Sequence, residues 1–331
     1  MSDHLLELRN LSVRFRTKRG IDAVLSRGPG FITAVDEVDL QVPRGRIVGL
    51  VGESGSGKTT LTKTVLRLET PSSGEIIFDG RDIAGLSERQ MRPMRQRLQM
   101  IFQDPLSSLN PRQRVAESLA TPLRIRNELT DARIDERVDA TLTRVGLSPA
   151  FRDRYPHEMS GGQLQRVAIG RALIVEPQLL VADEAVSKLD VSVRAQILNL
   201  FKDIQAETGI TMLFITHDLH VARYICDQIG VMYFGKLVEF ADTQTLFEHP
   251  VHPYTKALLG TIGATGKDSS RDIAGEAYNP TTEGHAGCRF LKRCPLRQPC
   301  CEQAHPDTEE ISPGHLVQCH EWKNAQKIEN P

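Results

Sequence analysis

The chain has 331 residues, 40% hydrophobic and 25% charged, with 41 Lys+Arg against 42 Asp+Glu and a formal net charge of −1. That length suits one large domain plus a smaller one, and the balanced charge gives no electrostatic case for nucleic acid. No signal peptide is visible and no apolar run approaches the roughly 20 residues that span a bilayer, so the chain is expected to be soluble by itself and to meet a membrane only through other chains.

Residues 4–15 alternate apolar and polar side chains (Leu6, Leu8, Leu11, Val13 and Phe15), which predicts a half-buried strand. Residues 16–30 are basic and glycine-containing and read as a loop or hairpin extension. A strand is expected over 34–42, a turn over 43–45 and a buried strand over 46–51. A glycine-rich turn and a helix over 59–68 follow, then strands at 74–79 and 97–102. Between 104 and 158 the strand signals vanish, while 115–123 and 131–145 show helical periodicity, so this stretch reads as a helical insertion in an α/β core. Alternation then resumes, with helices over 161–175 and 191–208, strands over 178–182 and 211–216, and a hairpin of 229–233 and 237–240 around Gly235. Residues 264–287 are rich in Gly, Ser, Thr and charge and read as a linker, followed by a cysteine-bearing appendage and a polar tail.

Residues 52–59 read Gly-Glu-Ser-Gly-Ser-Gly-Lys-Thr, a complete GxxxxGK[ST] pattern set between the buried strand and a helix. Gly52, Gly55 and Gly57 allow backbone conformations that turn successive N–H groups inward on a phosphate, and the positive end of the following helix faces the same place. Lys58 is expected to reach the β- and γ-phosphates and the Thr59 hydroxyl to bind Mg²⁺, with Ser54 and Thr60 also contacting the nucleotide. The expected ligand is therefore ATP or GTP, with Mg²⁺.

Downstream residues say what happens to the nucleotide. Four apolar residues from Leu179 to Ala182 end in Asp183 and Glu184, which sets two carboxylates at the end of a buried strand. Asp183 is placed to hold Mg²⁺ and Glu184 to take a proton from the attacking water. His217, ending another apolar strand, is placed to sense the γ-phosphate. Gln103 is a neutral group able to touch the metal or the water. Ser160, Gly161, Gly162 and Gln163 form a second glycine turn at a helix start, hence a second anion site. One chain has no use for two such cradles with one set of acids. Two chains packed head to tail do, each sandwiching ATP against its partner's Ser160 turn.

Over roughly residues 4–262 these motifs, in this order, resemble the ATP-binding-cassette ATPases. In that family 52–59 corresponds to the Walker A loop, Gln103 to the Q-loop, 160–163 to the signature, 179–183 to the Walker B strand, 187–190 to the D-loop and His217 to the switch histidine. An aromatic near the N-terminus stacks on adenine there, which points to Phe15, with Phe31 second. The resemblance implies an α/β, P-loop NTPase fold of the cassette type: an ATPase domain over 1–262 with a helical subdomain about 104–158, a linker over 263–287, a small cysteine-rich segment over 288–322 and a tail over 323–331. The run from Met100 to Pro105, the stretch Tyr155-Pro156-His157-Glu158, the pair His249-Pro250 and the run His252-Pro253-Tyr254-Thr255 are similar to the oligopeptide/dipeptide importer ATPases, and the insertion at 16–30 to their "F"-type subunit. Met159 and Lys188 depart from the family pattern, the latter adding a charge where two subunits meet. The resemblance implies a subunit hydrolysing ATP to drive uptake of oligopeptides or dipeptides, with nickel or glutathione import, or a soluble cassette switch, as the alternatives. Its implied partners are two transmembrane permease subunits, a second ATPase in a heterodimer and, indirectly, an extracytoplasmic substrate-binding protein, with the chain peripheral on the cytoplasmic face of the inner membrane.

Five of the six cysteines fall between Cys288 and Cys319. The spacing Cys288-x₅-Cys294-x₆-Cys301-x₁₇-Cys319 leaves Cys300 beside a ligand, and four thiolates can hold Zn²⁺ or an iron–sulfur cluster. Zinc ribbons favour shorter knuckles, so the loose spacing leans toward a cluster. The family resemblance implies [4Fe–4S] on these four, stapling a segment too small to bury its own core.

Overall fold

The computed structural model describes residues 3–16, 31–263, 278 and 286–326. The expected extension after residue 16, nearly all of the linker and the last five residues of the tail lie outside the described residues. The strands in chain order are β1 (His4–Arg16), β2 (Phe31–Pro43), β3 (Ile47–Val51), β4 (Ser73–Phe78), β5 (Arg81–Asp82), β6 (Leu98–Ile101), β7 (Leu179–Asp183), β8 (Thr211–Ile215), β9 (Gln228–Tyr233), β10 (Lys236–Asp242), β11 (Glu309–Ser312) and β12 (His315–Val317). The chain divides into two units, one of residues 1–42, 47–85 and 216–331, the other of 43–46 and 86–215.

The first unit holds an antiparallel sheet in the order β2-β1-β4-β5, with Leu6 opposite Phe78 and Leu8 opposite Ile76. Its other strands run β3, β9, β10, β12, β11. β3 is apolar throughout and buried on both faces, as a parallel strand covered on two sides must be. Gly49 within it faces the Cys226 sulfur so closely that a side chain would collide. β9 and β10 form the expected hairpin, closed by Phe234 and Gly235, both at positive φ (40° and 88°) as a two-residue primed turn requires.

The second unit carries the parallel strands β6, β7 and β8, the last two buried throughout, with Leu98 opposite Leu179 and Asp183 opposite Ile215. Its helices Val115–Arg126, Asp131–Arg144 and Gly161–Leu173 pack around Gly170, where Thr141, Leu119 and Val145 approach to within 3.1–3.5 Å of where a Cβ would stand. Phe201 and Phe214 meet edge to face, 5.7 Å apart.

Several elements differ from expectation. The helix after the glycine turn spans Lys58–Val65 and stops short of 68, because Arg67 takes a left-handed conformation (φ 55°) and the Leu68 N–H turns back to the Lys63 carbonyl. Glu88–Arg97 is an unforeseen helix: it buries only Met91 and contains Pro93, so no apolar period marks it, and Ser87 and Gln90 cap it from their side chains. Leu219–Ile225, Thr243–Glu248 and Pro253–Gly263 are helices that went unread. The cysteine-bearing segment is no separate appendage. β12 pairs with β10, and Phe290 joins Tyr233, Tyr254 and His252 in an aromatic cluster. Among the described residues no helix is long and apolar enough to cross a membrane.

Two imidazoles in the first unit, His252 buried and His305 half-buried, are held as neutral bases. His252 Nδ1 accepts from the Tyr254 N–H at 3.0 Å, and burial, then His305, lowers its pKa to about 3. Burial lowers His305 to about 4 against the raising contact with Gln318. Each folded pKa lies below the unfolded value near 6.5, so the unfolded chain binds more protons on acidification. Stability is therefore intact above pH 6.5 and falls toward pH 4, by about 1–3 kcal/mol per pH unit. Urea midpoints measured from pH 7.5 to 4.5 check this; a flat profile would mean that these rings are charged in the folded chain.

Candidate functional site

In the first unit, β3 delivers the chain into the glycine turn, and the helix Lys58–Val65 leaves it. Gly52, Gly55 and Gly57 all have positive φ, 149°, 81° and 101°. At Gly57, which occupies the N-cap, a Cβ would strike the Ala34 carbonyl oxygen and come within 3.4 Å of Gly235 Cα. At Gly52 it would strike the Met232 carbonyl oxygen. The Gly235 N–H donates to Ser56 O at 2.8 Å, and the Ser56 N–H to Glu53 O at 3.2 Å. Backbone fills the space where side chains would be, which leaves the loop one shape.

Lys58 lies inside this loop, 5% exposed. Its Nζ donates to Gly52 O (2.7 Å), Glu53 O (2.8 Å) and Ser56 Oγ (3.0 Å). An ammonium solvated by loop oxygens can exchange them for phosphate oxygens without moving far. The helix that follows has no acid in its first turn, so its positive end is uncompensated by its own side chains. Ser54, Gly55 and Thr59 are exposed and Thr60 half-buried. His217 is exposed, one residue beyond Thr216, whose N–H donates to Leu50 O at 3.2 Å, so it sits beside the strand that feeds the loop. Asp218 then caps the helix Leu219–Ile225 through the His220 and Val221 amides, which fixes where His217 leaves the backbone. Phe15, near the end of β1, is 40% exposed; Phe31, 41% exposed, lies under the Arg14 guanidinium at 5.6 Å.

The second unit gathers the carboxylates. Asp183 ends β7 and is 6% exposed. Glu184 follows with φ 48°, a left-handed conformation uncommon for a residue with a side chain. Three contacts hold it: its N–H donates to Ile215 O (3.0 Å), and its carbonyl accepts from Ser187 N (3.1 Å) and Ser187 Oγ (3.0 Å). Gln103, which leaves β6, donates from Nε2 to Glu184 Oε2 at 2.7 Å and stands 3.4 Å from Ser187 Oγ. Two residues chosen for separate tasks are thus hydrogen-bonded to each other. Ser160 is the N-cap of Gly161–Leu173, accepting from Gln163 N (3.4 Å) while Gln163 Oε1 accepts from Ser160 N (3.0 Å). This reciprocal cap leaves Ser160 exposed at the helix start, with Gly162 packed on Val193. Lys188 is exposed, and Asp190 caps the helix Val191–Thr208, its carboxyl held below the usual range by the Val193 amide.

Sequence reasoning missed the contacts that the C-terminal part of the chain makes with the glycine loop. The Glu53 N–H donates to the Tyr254 hydroxyl at 3.0 Å. Arg293 brings both terminal nitrogens to the Glu53 carboxylate, at 3.2 and 3.3 Å, and stands 3.4 Å from the Tyr233 hydroxyl. Burial opposes the Arg293 charge, but hydrogen bonds to Glu53 and Tyr233 outweigh it and hold its pKa above the ordinary value. Nothing in the local sequence announces a partner 240 residues away.

The thiols of Cys288, Cys294, Cys301 and Cys319 are all raised, first by burial, Cys288 to about 11 and Cys319 to about 12. Cys319 also feels the charge of the other three, and Cys288 feels Cys294 and Cys301. The Cys288 N–H donates to Cys301 O at 2.8 Å. Among the described residues, however, no group of three or more His, Cys, Asp or Glu is arranged to hold a metal ion.

Known proteins match this chain along most of its length. The family profile described as "ABC transporter" matches residues 35–187, and that described as "Oligopeptide/dipeptide transporter, C-terminal region" matches 238–301. The oligopeptide transport ATP-binding protein AppF of Bacillus subtilis (strain 168) is 44% identical over 96% of this chain and 97% of its own. The putative oligopeptide transport ATP-binding protein YkfD of the same organism is 45% identical over 90% and 92%. Among solved structures, cbiO1 of Clostridium perfringens, part of the ABC transporter complex cbiONQ, matches with TM-score 0.65 at 28% identity, covering 75% of this chain and 92% of that one. A dimeric ATP-binding cassette in a post-hydrolysis state, bound to ADP and Pi, matches with TM-score 0.63 at 28% identity over 72% and 98%.

The close backbone packing makes Gly57 the most sensitive position in the loop. Gly57→Ala combines a disfavoured φ with a Cβ driven into a backbone carbonyl, at a cost of about 2–4 kcal/mol. ATP affinity measured by fluorescence titration is expected to fall by about 100-fold; affinity within threefold of wild type would mean that the loop has room the geometry denies.

Proposed function

The chain belongs to the ATP-binding-cassette family of oligopeptide/dipeptide transporter ATPases, and from that premise we propose that it powers the uptake of oligopeptides or dipeptides. It is an ATP-hydrolysing subunit of an ABC importer. The observation that carries the enzymatic reading is the loop of 52–59 with Lys58 seated among its own oxygens. For the substrate the support is the match of 238–301 to a peptide-transporter region and the identity to AppF.

Gly52, Ser54, Gly55, Gly57, Thr59 and Thr60 line the phosphates of bound ATP, and Lys58 exchanges loop carbonyls for phosphate oxygens. Phe15 stacks on adenine. Thr59, Gln103 and Asp183 offer hard oxygen donors that would hold Mg²⁺, which would supply charge neutralisation at the phosphates. Glu184 takes the proton of the attacking water, and His217 meets the γ-phosphate. Gln103 has a second task, since its amide holds the Glu184 carboxylate at 2.7 Å. Were Gln103 to leave that carboxylate, Glu184 would be freed to act as base. Catalysis is then positioning and charge stabilisation.

The Ser160 turn, with Gly162 and Gln163, serves the nucleotide of a second ATPase subunit. Exposed Lys188, in the segment 187–190, favours a different, acidic partner there over a second copy of this chain. Two transmembrane permease subunits complete the importer, with an extracytoplasmic substrate-binding protein acting on them, and the chain lies on the cytoplasmic face of the inner membrane.

Cys288, Cys294, Cys301 and Cys319 are the ligands of a [4Fe–4S] cluster in this reading. Support comes from the donor set, four soft sulfurs within one short segment, although their side chains are not closed into a metal-holding group. Bound, the cluster would cross-link the segment and deprotonate the thiols.

Two measurements test these assignments. Glu184→Gln is expected to bind ATP normally and to hydrolyse it about 10²–10⁴-fold more slowly; near-normal turnover would remove Glu184 as the base. Protein purified without air is expected to be brown with about four irons per chain, and a colourless, iron-free chain would refute the cluster.

A further inference from the structure

Glu53 is an anionic side chain in a loop whose ligand is an anion. Its backbone is fixed on both sides, the N–H on the Tyr254 hydroxyl (3.0 Å) and the carbonyl under the Lys58 ammonium (2.8 Å). The carboxylate therefore cannot leave the neighbourhood of the phosphates unless the loop itself moves. Left alone, it would compete for Lys58 and repel the triphosphate.

Arg293 meets it with both terminal guanidinium nitrogens, at 3.2 and 3.3 Å. The Arg293 side chain is only 6% exposed, so this is no solvated surface pair. Its guanidinium carbon lies 6.0 Å from the ring centres of both Tyr233 and Phe290. The backbone that carries it is a single 3-10 turn, Leu291–Arg293, in which Arg293 N–H donates to Phe290 O and Cys294 N–H to Leu291 O. Cys288 and Cys294 bracket that turn, and Cys288 is bonded to the Cys301 backbone. A cation built onto a turn this tightly constrained, and aimed at one carboxylate, has a defined task.

We propose that Arg293 is a positioning residue of the nucleotide site, cancelling the charge of Glu53 and holding its carboxylate on the 288–294 turn, so that ATP affinity depends on the C-terminal segment. The inference rests on the ATPase reading above and adds to it a residue that no motif contains. It also gives the cysteine-bearing segment a route to the phosphate loop, from Arg293 to Glu53 to Lys58.

The test is ATP affinity and steady-state hydrolysis of the full chain. Arg293→Ala is expected to weaken ATP binding about tenfold, with the loss in KM and with kcat changed by less than about twofold. Arg293→Lys, which keeps the charge without the fork, recovers most of that loss. Glu53→Gln removes the repelling charge and tightens binding by about threefold, and in the Arg293→Ala background it restores affinity to within about threefold of wild type. Wild-type affinity in Arg293→Ala, or a double variant as weak as Arg293→Ala alone, would overturn the inference, the second by making Arg293 only a tether. Should Arg293→Ala not fold, tenfold weaker binding by Glu53→Gln would overturn it equally. A wild-type chain that bound no ATP would overturn the parent reading and this inference together, whereas the other outcomes overturn this inference alone.

Discussion

The structure of the first unit depends on backbone meeting backbone at the glycine turn. Gly57 lies against the Ala34 carbonyl, Gly52 against the Met232 carbonyl, and Gly235 N–H bonds Ser56 O. Each contact recruits a different strand: β2 through Ala34, β9 through Met232, and the β9–β10 turn through Gly235. The parallel pairing of β9 with β3 sets the height at which Met232 arrives. The primed turn at Phe234 and Gly235 then aims an amide at the loop, and Asp36 N–H closes the circuit on Gly235 O at 3.0 Å. A phosphate cradle needs donors held still before the ligand arrives, and rigidity here comes from backbone packed against backbone at Gly52 and Gly57.

Charge around this arrangement is matched, and all of it but Glu37 is buried or half-buried. Lys236 bridges Asp36 and Glu37, each at 3.2 Å, and Arg289 adds a second cation on Asp36 and bonds the Phe234 carbonyl. Glu239, 1% exposed, accepts from Val251 N, His252 N and His315 Nε2 at 2.8–2.9 Å. Such groups add little stability over an apolar filling, yet losing one partner leaves a buried charge unpaired, a cost of about 3–5 kcal/mol. They fix the hairpin and the C-terminal strands in one register, where apolar packing alone would accept several.

The second unit solves a related problem with strain. Glu184 sits at φ 48°, which costs of order 1–3 kcal/mol. Hydrogen bonds to Ile215 O and from Ser187 offset that cost and turn the carboxylate toward Gln103. A carboxylate held by a neutral amide is restrained without being neutralised. The capping box at Ser160 is the converse, a helix start whose polar groups satisfy one another and keep the turn in shape.

The sequence by itself determined the features that depend on short range. β3 and the glycine turn are legible because an apolar run, three glycines and a Lys-Thr pair lie within a dozen residues, although contacts from β2, β9 and the β9–β10 turn hold the turn's shape. β7 with its terminal acids and the helix Val191–Thr208 are legible for the same reason. Glu88–Arg97 was illegible, since one buried residue makes no period and Pro93 argues against a helix that its caps nonetheless secure. Glu184 is picked out by its place at the end of an apolar strand and Gln103 by the Q-loop correspondence, but that the two share a hydrogen bond follows only from β6 and β7 lying in register. β12 is too short to announce itself and becomes a strand because β10 offers it an edge. Only the tertiary structure decided that Arg293 would meet Glu53. A contact between residues 240 apart depends on every element between them being in place, and no local propensity encodes that sum.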